Sequence, residues 1–314
     1  LGCFPKAVRF AYEMERAGVT HVHAHFCSHP AVAAFVIHRL TGIPYSFTAH
    51  GSDLHVERRM LDAKVAAAAF AVTISRFNRR VMLDTCGEAA GTRIHVVHCG
   101  VDLEAFAEPP AERAPGDGPL RILCVASFEE VKGHRHLLDA CALLRDRGIA
   151  FVCELVGEGP LRREMEERIA QLRLDGHVRV LGGRPRPEVI ALYREAELAV
   201  LASQPTREGK REGIPVVLME AMASGLPVVS SRLSGIPELV EDGETGLLVP
   251  PADAATLAGA LERLARDPAL RRRMGAAGRR KVEREFDLRV NTATLLELFR
   301  RREPTGGRPC DSTT

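Results

Sequence analysis

The chain has 314 residues, 46% hydrophobic and 27% charged, an ordinary globular composition whose length suggests two domains. A net charge of +2 argues against bulk nucleic-acid binding, and 5% aromatics without a Trp argue against a base-stacking platform. No apolar run approaches the roughly 20 residues that a bilayer-spanning helix needs.

The chain begins with Leu rather than Met and enters a helical pattern almost at once, with a charged stretch at Arg9–Arg16 that is unlike a signal peptide. A missing N-terminal piece is therefore the expectation. Short runs at Val19–His25, Tyr45–Ala49, Phe70–Ile74 and Ile94–His98 read as strands, with helical patterns at Ala31–Thr41, Glu57–Ala68 and Phe77–Cys86 between them. Such alternation implies a parallel sheet with helices on its faces. Glu108–Pro119, rich in Pro, Gly and charge, reads as a linker. A second series follows. Its strands are Arg121–Ala126, Phe151–Val156, Val178–Leu181, Leu198–Leu201, Pro227–Ser230 and Gly246–Val249. Its helices are His134–Arg147, Leu161–Leu172, Glu188–Glu195, Val216–Ala223, Ala254–Arg266, Pro268–Glu285 and Leu288–Arg302. The expected organisation is a first domain over 1–107, a linker over 108–119 and a second domain over 120–286. A helix over 287–302 then crosses back to the first domain, and a disordered polar tail covers 303–314.

The eight cysteines form no C-x-x-C pair, and several lie in apolar runs, so they read as free thiols in a reducing, cytoplasmic compartment.

In open parallel sheets, ligands bind outside the carboxyl ends of the strands, so chemistry is sought in the loops that follow strands. The segment Arg211–Val229 is the most informative. Glu212 and Glu220 have seven residues between them, Gly213 lets backbone approach a ligand, and Pro215 suits the first position of a helix. Gly213, Ile214 and Pro215 with the helix N-terminus then make an anion site. Glu220 lies about two turns on, roughly on the same face as Glu212. One carboxylate can reach a sugar while the other accepts the neighbouring hydroxyls of a ribose.

His21, His23 and His25 alternate on one strand face, but the outer two are about 13 Å apart and no carboxylate lies in the run, so no metal site is expected. His21 and His23 read as structural, whereas His25 and Phe26 at the strand end line the cleft. His50 follows a strand, precedes Gly51 and should point into the gap between domains. Asp53 either faces the same acceptor side or caps the next helix.

The Glu212–Glu220 segment resembles the E-x7-E signature of retaining glycosyltransferases of family 4. So do Lys132-Gly133, Val156-Gly157-Glu158-Gly159-Pro160, Ser234-Gly235-Ile236-Pro237-Glu238 and Gly243–Val249 in the second half, and His23–Phe26 and Thr48–Asp53 in the first. The resemblance is closest to members that build bacterial exopolysaccharides. It implies an α/β protein of the GT-B fold, two Rossmann-like doubly wound domains facing a cleft, the first of them truncated. It implies Glu220 on the ribose of a nucleoside-diphosphate sugar, Glu212 on the transferred sugar, Lys132 beside Gly133 on the diphosphate, and His50 at the donor sugar and reaction centre. Gly157 and Gly159 would either let backbone approach the nucleotide or simply form a strand-to-helix turn. The family's usual phosphate-binding Arg is replaced here by Ser127, for which Arg184 or Arg211 could compensate.

The resemblance further implies transfer with retained configuration, no bound metal and no cofactor beyond the donor substrate. The implied partners are a nucleotide sugar, a glycan or lipid-linked acceptor and the inner face of the membrane, with no nucleic acid. Arg76–Arg80, Arg271–Arg273 and Arg279–Lys281 are the basic clusters that could meet anionic lipid. The alternative is an inactive or truncated nucleotide-sugar-binding protein, suggested by Ser127 and the short first domain. An epimerase ranks below both, because the first domain offers no convincing carboxylate pair.

Overall fold

The computed structural model describes residues 4–107 and 118–301. Most of the expected linker and the tail from 303 on lie outside the described residues.

The first half is a four-stranded parallel sheet, β1 (Val22–His25), β2 (Tyr45–Ala49), β3 (Phe70–Thr73) and β4 (Ile94–Val96), ordered 1-2-3-4. Its helices are α1 (Phe4–Arg16), α2 (His29–Thr41), α3 (Ser52–His55), α4 (Leu61–Ala67) and α5 (Arg76–Cys86). β2 and β3 are buried at every position, as expected for central parallel strands covered on both faces. The helix expected over Glu57–Ala68 forms only from Leu61, after a left-handed Met60 (φ 56°) that interrupts the helical path.

The second half is a six-stranded parallel sheet ordered β10-β9-β8-β5-β6-β7. The strands are β5 (Leu120–Val125), β6 (Phe151–Val156), β7 (Val178–Gly182), β8 (Leu198–Leu201), β9 (Val228–Ser231) and β10 (Gly246–Val249). The helices are α6 (His134–Asp146), α7 (Arg162–Gln171), α8 (Arg186–Glu195), α9 (Val216–Ala223), α10 (Ile236–Leu239), α11 (Ala254–Arg266), α12 (Pro268–Glu285) and α13 (Leu288–Arg300). The chain runs outward from β5 through β6 to β7, then returns to place β8 on the other side of β5. The strand order therefore reverses between β5 and β8, which opens a crevice between the loops that follow them.

Each sheet has its own hydrophobic core. Val101 and Phe106, from the end of the expected first domain, pack into the second core. Val101 there pairs with the α12–α13 junction: its amide donates to Phe286 (2.9 Å) and its carbonyl accepts from Leu288 (3.1 Å). α13 then lies against the first sheet, where the Phe299 ring meets His21, His23 and Phe70 at 5.2–5.3 Å. The thiols of Cys27, Cys124, Cys141 and Cys153 are free and buried, while Cys86 and Cys99 are half-buried. None of the described helices is long and apolar enough to cross a membrane.

Two sheltered histidines, half-buried His23 in the first half and buried His134 in the second, carry lowered pKa values. His23 bonds Ser46 and Thr48 across β1 and β2, and burial, then the neighbouring histidines, lower its pKa to about 4. His134, its ring 4.6 Å from that of Phe128 and tilted against it, is lowered to about 4 by burial and then by Lys132. The unfolded chain binds these protons near pH 6.5, so folding stability should fall as pH drops from about 6.5 toward 4. Thermal melts across that window should show the decline, and His23→Gln and His134→Leu should each flatten it.

Candidate active site

The switch-point crevice is walled by the loop after β5 (126–133) and the loop after β8 (202–215). Lys132, from the first, donates to Glu212, from the second, at 2.5 Å. The side chains keep 22% and 13% of their exposure, so the pair is half-sheltered rather than entombed. A second bridge crosses the same crevice: Lys210 donates to Glu129 at 2.6 Å, and Glu129 also accepts from Ser127 at 3.2 Å. Hydrogen bonding to Lys210 leads the causes that hold the Glu129 carboxyl below its usual range.

Three glycines let these loops close on one another. A Cβ on Gly133 would lie 1.8 Å from the Ala202 carbonyl, one on Gly157 2.0 Å from that of Ala126, and one on Gly159 2.7 Å from the Phe128 amide. What crowds Gly157 and Gly159 is the neighbouring loop, so loop packing by itself accounts for both glycines.

α9 has the bounds expected, Val216–Ala223, with Pro215 in extended conformation at the N-cap (φ −68°, ψ 124°) rather than at the first helical position. Ile214 and Pro215 are buried, which fixes the Glu212–Gly213 loop over the helix. Glu220 is half-buried beside Tyr193, whose hydroxyl donates to the Val217 carbonyl (3.0 Å) and lies 3.4 Å from Glu220 Oε2. Burial raises the Glu220 carboxyl above its usual range, opposed by the charge of Arg186 and by the tyrosine. Arg184, in the loop before α8, pairs with Glu188 of that helix (3.4 Å) rather than with Glu129 or Ser127. Arg211 is exposed on the same loop as Lys210, near His55. The cation linked to Ser127 is Lys210, through Glu129.

The first domain faces this crevice with a histidine cluster. His25 Nδ1 and His50 Nε2 share a 3.0 Å hydrogen bond, and the Phe26 ring lies 4.8 Å from that of His50. Phe26 adopts a left-handed backbone (φ 75°), a strained state for a bulky residue. Burial lowers the His50 pKa; Asp53 opposes and His25 adds to the effect. His50 is therefore neutral at physiological pH, with one ring nitrogen engaged by His25.

Asp53 does not line the acceptor side. It is 6% exposed, and its carboxylate accepts from the amides of Cys27 (2.7 Å), Gly51 (2.7 Å) and His50 (3.1 Å). It ties the end of β1 to the loop after β2 and so fixes where His50 stands. Across the gap, a Cβ on Gly213 would lie 3.1 Å from the His50 carbonyl, and one on Gly51 3.8 Å from the Gly213 amide. The two loops singled out by sequence, His50–Gly51 and Glu212–Gly213, thus abut.

Among the described residues no cluster of three metal-ligating side chains forms. His21 and His23 are taken up by Ser46 and Thr48. Several members of the basic clusters are paired within the fold. Arg79 donates to the Ile94 and Gly91 carbonyls, and Arg80 pairs with Glu88, Arg271 with Glu197, Arg279 with Glu283, and Lys281 with Glu241 and Glu285.

Glu129, Lys210, Tyr193, Asn78 and Glu238 were not assigned roles by sequence. The signal for Lys210 was its place in a charged loop between a buried strand and Glu212. The other four depend on long-range packing.

Residues 107–281 match the family model "Glycosyl transferases group 1", and residues 3–105 match "Glycosyltransferase Family 4". The chain is 39% identical over 209 residues to the amylovoran biosynthesis glycosyltransferase AmsK of Erwinia amylovora, covering 67% of this chain and 51% of that protein. It is 40% identical over 213 residues to WcaL of Escherichia coli K12, named for colanic acid biosynthesis, with 66% of this chain and 51% of that one covered. The chain thus spans about half the length of these curated relatives. The solved structure of Anabaena HepE in complex with UDP superposes with a TM-score of 0.81 at 19% identity, covering 95% of this chain and 82% of that one.

Removing the Asp53 carboxylate leaves three amides without their acceptor, so Asp53→Ala should destabilise the first domain by about 2–4 kcal/mol. Chemical denaturation should show this loss in the first-domain transition, with the second left in place.

Proposed function

Because the chain belongs to the group 1 glycosyl transferases with a GT-B architecture, we propose that its cleft transfers a sugar from a nucleoside-diphosphate donor to an acceptor hydroxyl, in exopolysaccharide or other cell-surface glycan synthesis. The observation that carries the reading is the meeting of Lys132, Glu212, Glu129 and Lys210 at the switch point, beside the half-buried Glu220. The UDP named in the HepE structure accords with a nucleotide ligand.

In this reading Glu220 accepts the ribose hydroxyls, and Tyr193 holds the carboxylate toward them. Lys132 and Lys210 exchange their carboxylate partners for the diphosphate, Lys210 supplying the charge that Ser127 lacks. Glu212, released from Lys132, accepts hydroxyls of the transferred sugar. The acceptor oxygen bonds to the anomeric carbon on the face the diphosphate leaves. The bond from that carbon to the diphosphate oxygen breaks, and the acceptor proton passes to the departing diphosphate. Configuration is retained. The protein's contribution is electrostatic, a pair of cations preorganised where negative charge accumulates. Neutral His50 offers a hydrogen bond to the sugar from the opposite domain. No step in this scheme calls for a metal ion.

Calorimetry with a panel of nucleoside diphosphates tests the assignment. Glu220→Ala should weaken binding about 10- to 100-fold, the loss of charged hydrogen bonds. Since burial raises the Glu220 pKa and only the carboxylate accepts hydroxyls, wild-type affinity should fall on acidification at a pH above the usual carboxylate range. Glu220→Gln should lose that dependence. Lys132→Ala should chiefly lower donor turnover, and Lys210→Ala should weaken diphosphates but spare nucleosides. Wild-type affinity for no nucleoside diphosphate would refute the reading. Binding with complete inertness toward donors would instead favour a nucleotide-sugar-binding protein.

A further inference from the structure

Glu238 lies on α10 of the second domain, where its neighbours Ile236 and Leu239 are fully buried in the second core. Its side chain leaves that domain. Oε2 accepts the Arg76 amide at 2.8 Å and Oε1 accepts the Phe77 amide at 2.8 Å, both in the first turn of α5 in the first domain. These amides have no partner inside a helix, and the partial positive charge of a helix N-terminus favours an anion there. His98, from the segment after β4, adds a contact to Oε2 at 3.3 Å. Burial alone would raise this carboxyl; hydrogen bonds from His98 and the two amides outweigh it and hold the group below its usual range.

The same turn of α5 reaches the candidate site. Ser75 caps it by accepting the Asn78 amide (3.0 Å), and buried Asn78 donates from Nδ2 to the His50 carbonyl (3.0 Å). Gly235, three residues before Glu238, is wedged between the two parts. A Cβ there would lie 2.8 Å from Ile214 Cγ1, 3.1 Å from Ser75 Cβ and 3.2 Å from the Gly213 carbonyl. One short segment of the second domain therefore touches the donor-side loop with Gly235 and grips the His50-bearing side with Glu238.

We infer that Glu238 is a positioning residue: it clamps the second domain to the first turn of α5 and, through Asn78, sets the His50 loop against the Glu212–Gly213 loop. The clamp needs a carboxylate. Two oxygens take two adjacent amides at once, whereas Gln would turn an N–H toward one of them. It acts on alignment between the domains and makes no contact with the nucleotide-binding residues Lys132, Lys210 and Glu220. The inference rests on reading the cleft as the transfer site, and its test separates the two claims.

Hydrogen exchange on the wild type, Glu238→Gln, Asn78→Ala and the double variant reads the clamp without any substrate. In Glu238→Gln, the segments 47–53 and 75–79 should exchange faster, with both sheets otherwise unchanged. Nucleoside-diphosphate affinity should stay at the wild-type value while donor turnover falls about 10- to 100-fold, the cost of misplacing a reacting group. The double variant should lose no more than the single ones, because both cut one chain of contacts. Unchanged exchange in 47–53 and 75–79, faster exchange throughout both domains, or a parallel loss of affinity and turnover would each overturn the clamp. Failure of the wild type to bind nucleotides would refute the proposed function, while the exchange data would still decide whether Glu238 holds the His50 loop.

Discussion

The structure of the cleft depends on the contact between Lys132 and Glu212. Strand order forces it: β5 and β8 are neighbours, but the chain leaves them in opposite directions, so their following loops are free to part and form a crevice. Lys132 and Glu212 close that crevice with opposite charges, and Lys210 with Glu129 repeats the device beside it. In half-sheltered surroundings neither member of such a pair can be left alone cheaply, since an uncompensated charge there loses its solvation as well. A ligand entering this place must offer a compensation for both signs. A diphosphate joined to a sugar does so, with phosphate oxygens for the lysines and hydroxyls for the carboxylates. In the proposed function the charge pattern would favour an activated sugar over a simple anion, which would strand the two glutamates.

The first domain contributes little charge to this centre. Its cleft-facing side chains are His25, Phe26 and His50, and burial keeps His50 neutral. The carboxylate nearest to them, Asp53, is spent on backbone amides. This division has a physical logic. The cations stand in one domain, preorganised by carboxylates of that same domain, so they are in place before the cleft closes. The opposite wall brings hydrogen-bonding and stacking surfaces, which cost less to desolvate than charges do.

Much of the fold was legible in the sequence because parallel strands buried on both faces leave continuous apolar runs. Tyr45–Ala49, Phe151–Val156, Leu198–Leu201 and Gly246–Val249 are strands with the bounds their composition suggests. Helix starts were harder to read where the backbone decides, as at left-handed Met60. The boundary between the cores was obscured because Val101 and Phe106 look like any apolar residues before a linker, and only their packing assigns them to the second core. At the candidate site, Lys132, Glu212 and Glu220 stood out by spacing and loop position. Asp53 was misplaced because a local motif shows a carboxylate but not the three amides that surround it. Glu238 was visible as part of a motif, yet the amides it accepts lie more than 160 residues away along the chain.

Where the resemblance leads one to expect an Arg, Ser127 is linked instead to a cation on another loop. A positive group at residue 127 would approach the crevice from the end of β5. Here Ser127 instead hydrogen-bonds Glu129, and the other oxygen of Glu129 receives Lys210 from the loop after β8. The cation thus arrives from the opposite wall, held by a carboxylate that a guanidinium at 127 would otherwise crowd. The exchange is not neutral in geometry. An Arg presents a planar fork to phosphate, whereas Lys is a compact point charge on a flexible stem. Flexibility lets Lys210 swing from Glu129 to a ligand, at the cost of more side-chain entropy when it is fixed there. In the proposed function Glu129 limits that cost by holding the ammonium close to the diphosphate in advance, and the Ser127–Glu129–Lys210 chain would supply the cation from another loop.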